Sequence, residues 1–185
     1  MISHKYKCAF IHIPKCAGTS VDYVLNNNDL FHKWNGNYHE QHETLFQMDI
    51  PDNYFKFSII RHPIDRLVSS YKFLSNECDG GTFTEFITKS GGFSNILDPE
   101  KQHDQENRYH HIMTMFDYIG DGSKLDMVIK MEDINKKWKD VCNIIGHNIT
   151  LPHMNASSVI YNISKDDKHL VRKLYKIDFE NFGYE

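Results

Sequence analysis

The run CAFIHIPKCAGTS, residues 8–20, leaves the chain few ways to fold around it. An apolar stretch short enough for a buried strand gives way to Pro14, Lys15, Ala17 and Gly18, and then to Thr19 or Ser20, either of which suits the opening of a helix. Small residues at such a join let backbone N–H groups point into one concave space. The new helix adds its unpaired first N–H groups and the positive end of its dipole. Lys15 brings a full positive charge, and Thr19 and Ser20 bring hydroxyl donors, so a phosphate or a sulfate suits the concavity. Cys16, inside the turn, reads either as a small filler or as a thiol whose anion the same field favours. The pattern is not a Walker A loop, in which the Lys directly precedes the hydroxyl residue. Here the Lys precedes the Gly, and a generic ATPase or kinase fits poorly. Many Gly-containing joins of this kind bind nothing, so the turn needs a second feature beside it.

That feature is FSIIRHPIDRLVSSY, residues 57–71. A β-rich run again ends in a polar turn, and a helix follows for which Pro63 suits the first turn and Asp65 is favourably charged. Arg61 stands at the carboxyl end of the strand, Arg66 is a second guanidinium nearby, and Ser69 lies further along the helix. Ligands of open α/β sheets collect at the carboxyl ends of strands. Two such ends, each with a cation and a hydroxyl, can hold a ligand with two separate anionic groups.

Together, HIPKCAGTS and IIRHPIDRLVSSY resemble the paired nucleotide-binding motifs of the sulfotransferases that use 3′-phosphoadenosine 5′-phosphosulfate (PAPS). The nearest flavour is the carbohydrate branch, sulfotransferase family 2-like, with its heparan and chondroitin enzymes. The resemblance runs nearly end to end and is specific in these two motifs. It implies an α/β, P-loop-like three-layer fold, with a central, mainly parallel sheet flanked by helices. It also implies that Pro14, Lys15, Cys16, Ala17, Gly18, Thr19 and Ser20 receive the 5′-phosphosulfate, and that Arg61 and Ser69, with Arg66 close by, receive the 3′-phosphate. Asn155 and Ser157, in LPHMNASS, resemble part of the loop that closes over the nucleotide. One departure is His62, where the family commonly has Asp or Asn between the Arg and the Pro.

Sulfuryl transfer to a neutral alcohol needs a group to take the hydroxyl proton, and near neutral pH that group is naturally a histidine. Relatives carry a His-containing segment between the two motifs, and here it is YHEQHET. His42 is the favoured base and His39 the alternative, beside the plain reading of a solvated polar loop. As a metal pair the two are a weak signal, and no metal is expected.

Composition sets the outer bounds. At 185 residues, 40% hydrophobic and 25% charged, the chain is expected to form one globular domain, 1–185, a sulfotransferase catalytic domain if the resemblance holds. A net charge of −4 leaves no global basic field for nucleic acid or an anionic membrane, so an anionic ligand must be held by local charges. No apolar run approaches the roughly 20 residues that span a bilayer. The first residues lead straight into a strand without a signal-peptide pattern, so the expectation is a cytoplasmic protein, a bare catalytic core lacking the stem and anchor of Golgi relatives. Cys8, Cys16, Cys78 and Cys142 show no C-x-x-C spacing and are expected to be reduced. Nothing in the pattern speaks to oligomeric state.

Along the rest of the chain, Val21, Val24 and Leu25 continue the first helix to a stop at residues 26–29. Residues 54–60 read as the second strand. Residues 83–87 form a short helix, and 93–108 an exposed polar loop; His103 and Arg108 in it, with His110 and His111 just beyond, read either as contacts for an anionic or sugar-like acceptor or as solvated surface. The run 125–129 reads as a strand, 135–145 as a helix closed by Gly146, and the tail as an amphipathic helix. The expected activity is sulfuryl transfer from PAPS to an acceptor hydroxyl, with carbohydrate the favoured acceptor. A P-loop-like small-molecule kinase and a non-catalytic nucleotide-binding module are the alternatives.

Overall fold

The computed structural model describes residues 1–4, 6–26, 42–75, 81–101, 107–152 and 162–185. In chain order the elements are β1 (Ile2–Ser3), β2 (Cys8–Ile11), α1 (Gly18–Asn26), β3 (Phe55–Ile60), α2 (Pro63–Ser75), α3 (Phe83–Ile87), α4 (Met115–Ile119), β4 (Met127–Lys130), α5 (Ile134–Ile145), α6 (Lys165–Leu174) and α7 (Lys176–Phe182). They group into two compact units. One comprises Met1–Arg61 with Met115–Ala156, the other His62–Thr114 with Ser157–Glu185.

The first unit holds the sheet, in the order β1-β2-β3-β4. β1 pairs antiparallel with β2, whereas β2, β3 and β4 run parallel. Every residue of β2 and the last four of β3 are buried, as expected of parallel strands covered on both faces. One of those four is Ser58, whose hydroxyl donates to the Ile11 carbonyl at 2.7 Å and so meets the need of a buried polar group. Ile11 stands opposite Ser58 in the register, so the chain leaves β2 and β3 at the same edge. Helix α5 buries Trp138, Val141, Cys142 and Ile145, one stripe at helical spacing, and Gly146 closes it at φ 72°. The fold is α/β with a mainly parallel sheet, P-loop-like in the strand–turn–helix join after β2.

The second unit is helical around an apolar cluster that includes Leu67 and Leu74 of α2, Phe83 and Phe86 of α3, and Val171, Tyr175 and Phe179 near the C-terminus. Helix α2 opens at Pro63, as the sequence predicts. A capping box opens α3, with Thr82 Oγ1 accepting from the Glu85 N–H and the Glu85 carboxylate accepting from the Thr82 N–H. Ser164 caps α6 by accepting from the Asp167 N–H. The expectation of an exposed polar loop over 93–108 is corrected in part. Phe93 and Leu97 are fully buried in the cluster, and Asn107 and His111 are buried too.

Candidate anion-binding and catalytic site

The join between β2 and α1 is a strained backbone. The Ile13 carbonyl accepts from the Cys16 N–H at 3.3 Å, which closes a tight turn with Pro14 second and Lys15 third. Lys15 has φ 65°. A proline second and a positive φ third are the type II pattern, whose third position belongs by preference to glycine. Ala17 is left-handed as well, at φ 61°. Such a conformation costs a non-glycine residue about 1–2 kcal/mol, and strain of this kind collects at ligand sites. It also has a geometric effect, because a left-handed residue beside right-handed ones aims successive N–H groups into one concavity. The Ala17 carbonyl accepts from Ser20 and Val21, so α1 starts from this residue. Among the described residues, the N–H groups of Ala17, Gly18 and Thr19 make no hydrogen bond. Thr19 is exposed, whereas Pro14, Cys16, Gly18 and Ser20 are buried and Lys15 is half-buried. An anionic oxygen fits those three donors, and Lys15 supplies the countercharge.

Arg61 reaches the same turn. Its Nη1 donates to the Lys15 carbonyl at 3.2 Å, and its backbone N–H points at the Met115 sulfur at 3.5 Å. A guanidinium carries five N–H donors. Among the described residues only Nη1 is engaged, so the rest of the fork remains available to a ligand.

His42 stands beside the turn as well. Its Nδ1 lies 3.1 Å from the His12 carbonyl oxygen. A carbonyl only accepts, so Nδ1 carries the proton, and the neutral ring keeps its lone pair on Nε2. That is the tautomer of a base acting through Nε2. Three residues on, the Leu45 N–H donates to the Tyr118 carbonyl at 2.8 Å, which pins the segment to the end of α4. His12 is the residue that sequence reasoning missed. Its ring is 4.4 Å from that of His42, and a Cβ built on Gly18 would run into its Nε2. The available signal was its position, a polar residue at the last step of an apolar strand just before the turn.

The remaining candidates belong to the second unit or lie outside the described residues. Arg66 is 1% exposed and donates through Nη1 to the Met113 carbonyl at 2.6 Å, within the second unit. Ser69 is half-buried on α2 in that unit. His39, His103, Asn155 and Ser157 lie outside the described residues, as does Cys78. Cys8, Cys16 and Cys142 are free thiols, all buried, and burial pushes the Cys8 thiol up to about 12. No described helix is long and apolar enough to cross a membrane.

No curated protein matches the chain. A crystal structure of a sulfotransferase from Alicyclobacillus acidocaldarius is similar at 16% identity, over 70% of this chain and 53% of that one, with a TM-score of 0.41. The chain thus spans about half the length of that protein. A profile described as Sulfotransferase family matches residues 1–185. With every residue inside that match, the chain belongs to the sulfotransferase family.

Proposed function

We propose that this protein moves the sulfuryl group of PAPS to an acceptor hydroxyl, with carbohydrate the favoured acceptor class. One observation carries the reading: Lys15 and Ala17 both hold positive φ in the turn that opens α1. A chain accepts that cost where converging N–H groups have an anion to bind.

In this reading the N–H groups of Ala17, Gly18 and Thr19, together with the Lys15 ammonium, bind the 5′-phosphosulfate. Arg61, at the neighbouring strand end, binds the 3′-phosphate through its planar fork. PAPS supplies an activated sulfuryl group. His42 takes the acceptor's hydroxyl proton at Nε2, the acceptor oxygen bonds to sulfur, and the S–O bond to the 5′-phosphate breaks. Lys15 and the turn neutralise the charge that gathers on the departing phosphate oxygen. Positioning and electrostatics supply most of the acceleration, as in phosphoryl transfer.

Thermal denaturation with adenosine 3′,5′-bisphosphate, against ATP with Mg²⁺, tests the nucleotide. A ligand at a hundred times its Kd adds about 2.7 kcal/mol of stability. Stabilisation by the bisphosphate is expected; stabilisation by ATP with Mg²⁺ alone would point to a kinase. An acceptor screen with radiolabelled PAPS tests the chemistry. A protein that binds the bisphosphate and labels no hydroxyl acceptor would be a binding module.

A further inference from the structure

His12 has a place in the fold that neither strand packing nor anion binding requires. It follows β2 directly, is 4% exposed, and stacks on Phe10 with ring centroids 5.8 Å apart. Two separate parts of the site meet it. Its carbonyl accepts the Nδ1–H of His42, and its ring lies edge-on to the His42 ring at 4.4 Å and 60°. At its other edge, Nε2 sits against Gly18, the first residue of α1, so closely that no Cβ fits between them. One side chain, almost wholly out of water, therefore touches both the helix start at the anion turn and the imidazole of His42.

We propose that His12 is a positioning residue for the base. Its ring is the spacer that sets where His42 stands relative to the start of α1, and its carbonyl fixes the tautomer that leaves the lone pair on Nε2. The proposal rests on the reading of His42 as the proton acceptor. A half-buried imidazole has two freedoms that spoil it as a base: either nitrogen can carry the proton, and the ring can turn about its last bond. A single hydrogen bond to a carbonyl removes the first. Packing against a second ring that cannot itself move removes the second. His12 is held on both sides, by Phe10 and by Gly18. A histidine that only filled the core would need no edge contact with His42.

The test is long-range ¹H–¹⁵N NMR of the imidazoles above their titration range, in the wild type, His12→Phe and His12→Ala, with the spectrum of His42→Gln identifying the His42 signals. Binding of adenosine 3′,5′-bisphosphate is measured on the same samples. The wild type is expected to show His42 as one form, protonated at Nδ1. Both variants keep the main-chain carbonyl of residue 12, so the Nδ1–H form should persist in each. Ring ¹³C relaxation on the same samples reads the spacer: His12→Phe, which keeps a ring in the gap, should hold the His42 ring order parameters at their wild-type values, whereas His12→Ala should lower them with bisphosphate affinity unchanged. Unchanged order parameters in His12→Ala overturn the proposal, and so does a wild-type ring protonated at Nε2. Should His12→Ala not fold, His12→Phe decides alone, and lowered order parameters there overturn it. Failure of the wild type to bind the bisphosphate would instead sink the proposed function, with the tautomer result read separately.

Discussion

The Nη1 of Arg61 donates to the carbonyl oxygen of Lys15 at 3.2 Å. The bond joins the end of β3 to the residue that holds a positive φ after β2, so one cation holds the backbone that carries the other. From sequence the two look like distant corners gripping opposite ends of a ligand. In the fold they share one edge of the sheet, because the register sets Ile11 beside Ser58.

Lys15 should separate stability from activity. Lys15→Ala is expected to lower transfer by about 10²–10³-fold, the size of a lost charge-stabilising group. Lys15→Gly removes the same ammonium and also relieves the left-handed strain. Set against the extra freedom glycine brings to the unfolded chain, it should gain about 0.5–1 kcal/mol. Urea denaturation and labelled-donor assays on the two variants check both halves.

Arg61→Ala should weaken adenosine 3′,5′-bisphosphate binding by about 10–100-fold, from hydrogen bonds to charged groups worth about 1.5–3 kcal/mol. Arg61→Lys keeps the charge but loses the fork, and should recover only part of the affinity. Calorimetric titration measures it; an unchanged Kd in Arg61→Ala would remove Arg61 from the site.

His42→Ala should abolish transfer and leave bisphosphate binding intact, since the ring is bonded to His12 and not to the turn's N–H groups. If His39→Ala does this instead, the base is His39 and the reaction class stands.

Gly18→Ala drives a methyl group into the His12 ring. Overpacking of this kind costs about 1–3 kcal/mol, so its melting temperature should fall clearly below that of the wild type.

Asp167 gives the second unit an acid limb. The hydrogen bond from Thr84, with further bonds from Ser164, holds its carboxyl below the usual range. A depressed carboxyl contributes stability that is complete above its unfolded-state pKa and fades as pH falls through the folded one. Asp167→Asn should therefore be less stable than the wild type near neutral pH, and the two melting curves should converge in acid. A constant difference at all pH values would count against it.

Both strand–turn–helix joins were legible because each sets a buried apolar run against a polar turn with Pro or Gly at a position where backbone geometry demands it. Pro63 opening α2 and Gly146 closing α5 followed from the same chemistry. His12 was not legible, because its meaning lies in contact with a residue 30 positions away. Phe93 and Leu97 sit among polar residues without a period, and only the fold reveals that they are core. Arg66 read as a second cation beside the motif; its burial, at 1% exposed, and the bond from its Nη1 to a main-chain carbonyl show only in the fold.

That carbonyl belongs to a run of three. His111, Ile112 and Met113 offer successive main-chain oxygens to Ser70, Tyr175 and Arg66 at 3.1, 2.6 and 2.6 Å. Irregular backbone enclosed by apolar side chains is tolerable only if its polar atoms are met. Here the donors come from two stretches far apart in the chain. Loosening α2 or the segment around Tyr175 strands one of these oxygens at once, so both should come undone together with this strap, and their amide protons should exchange with solvent at a shared rate.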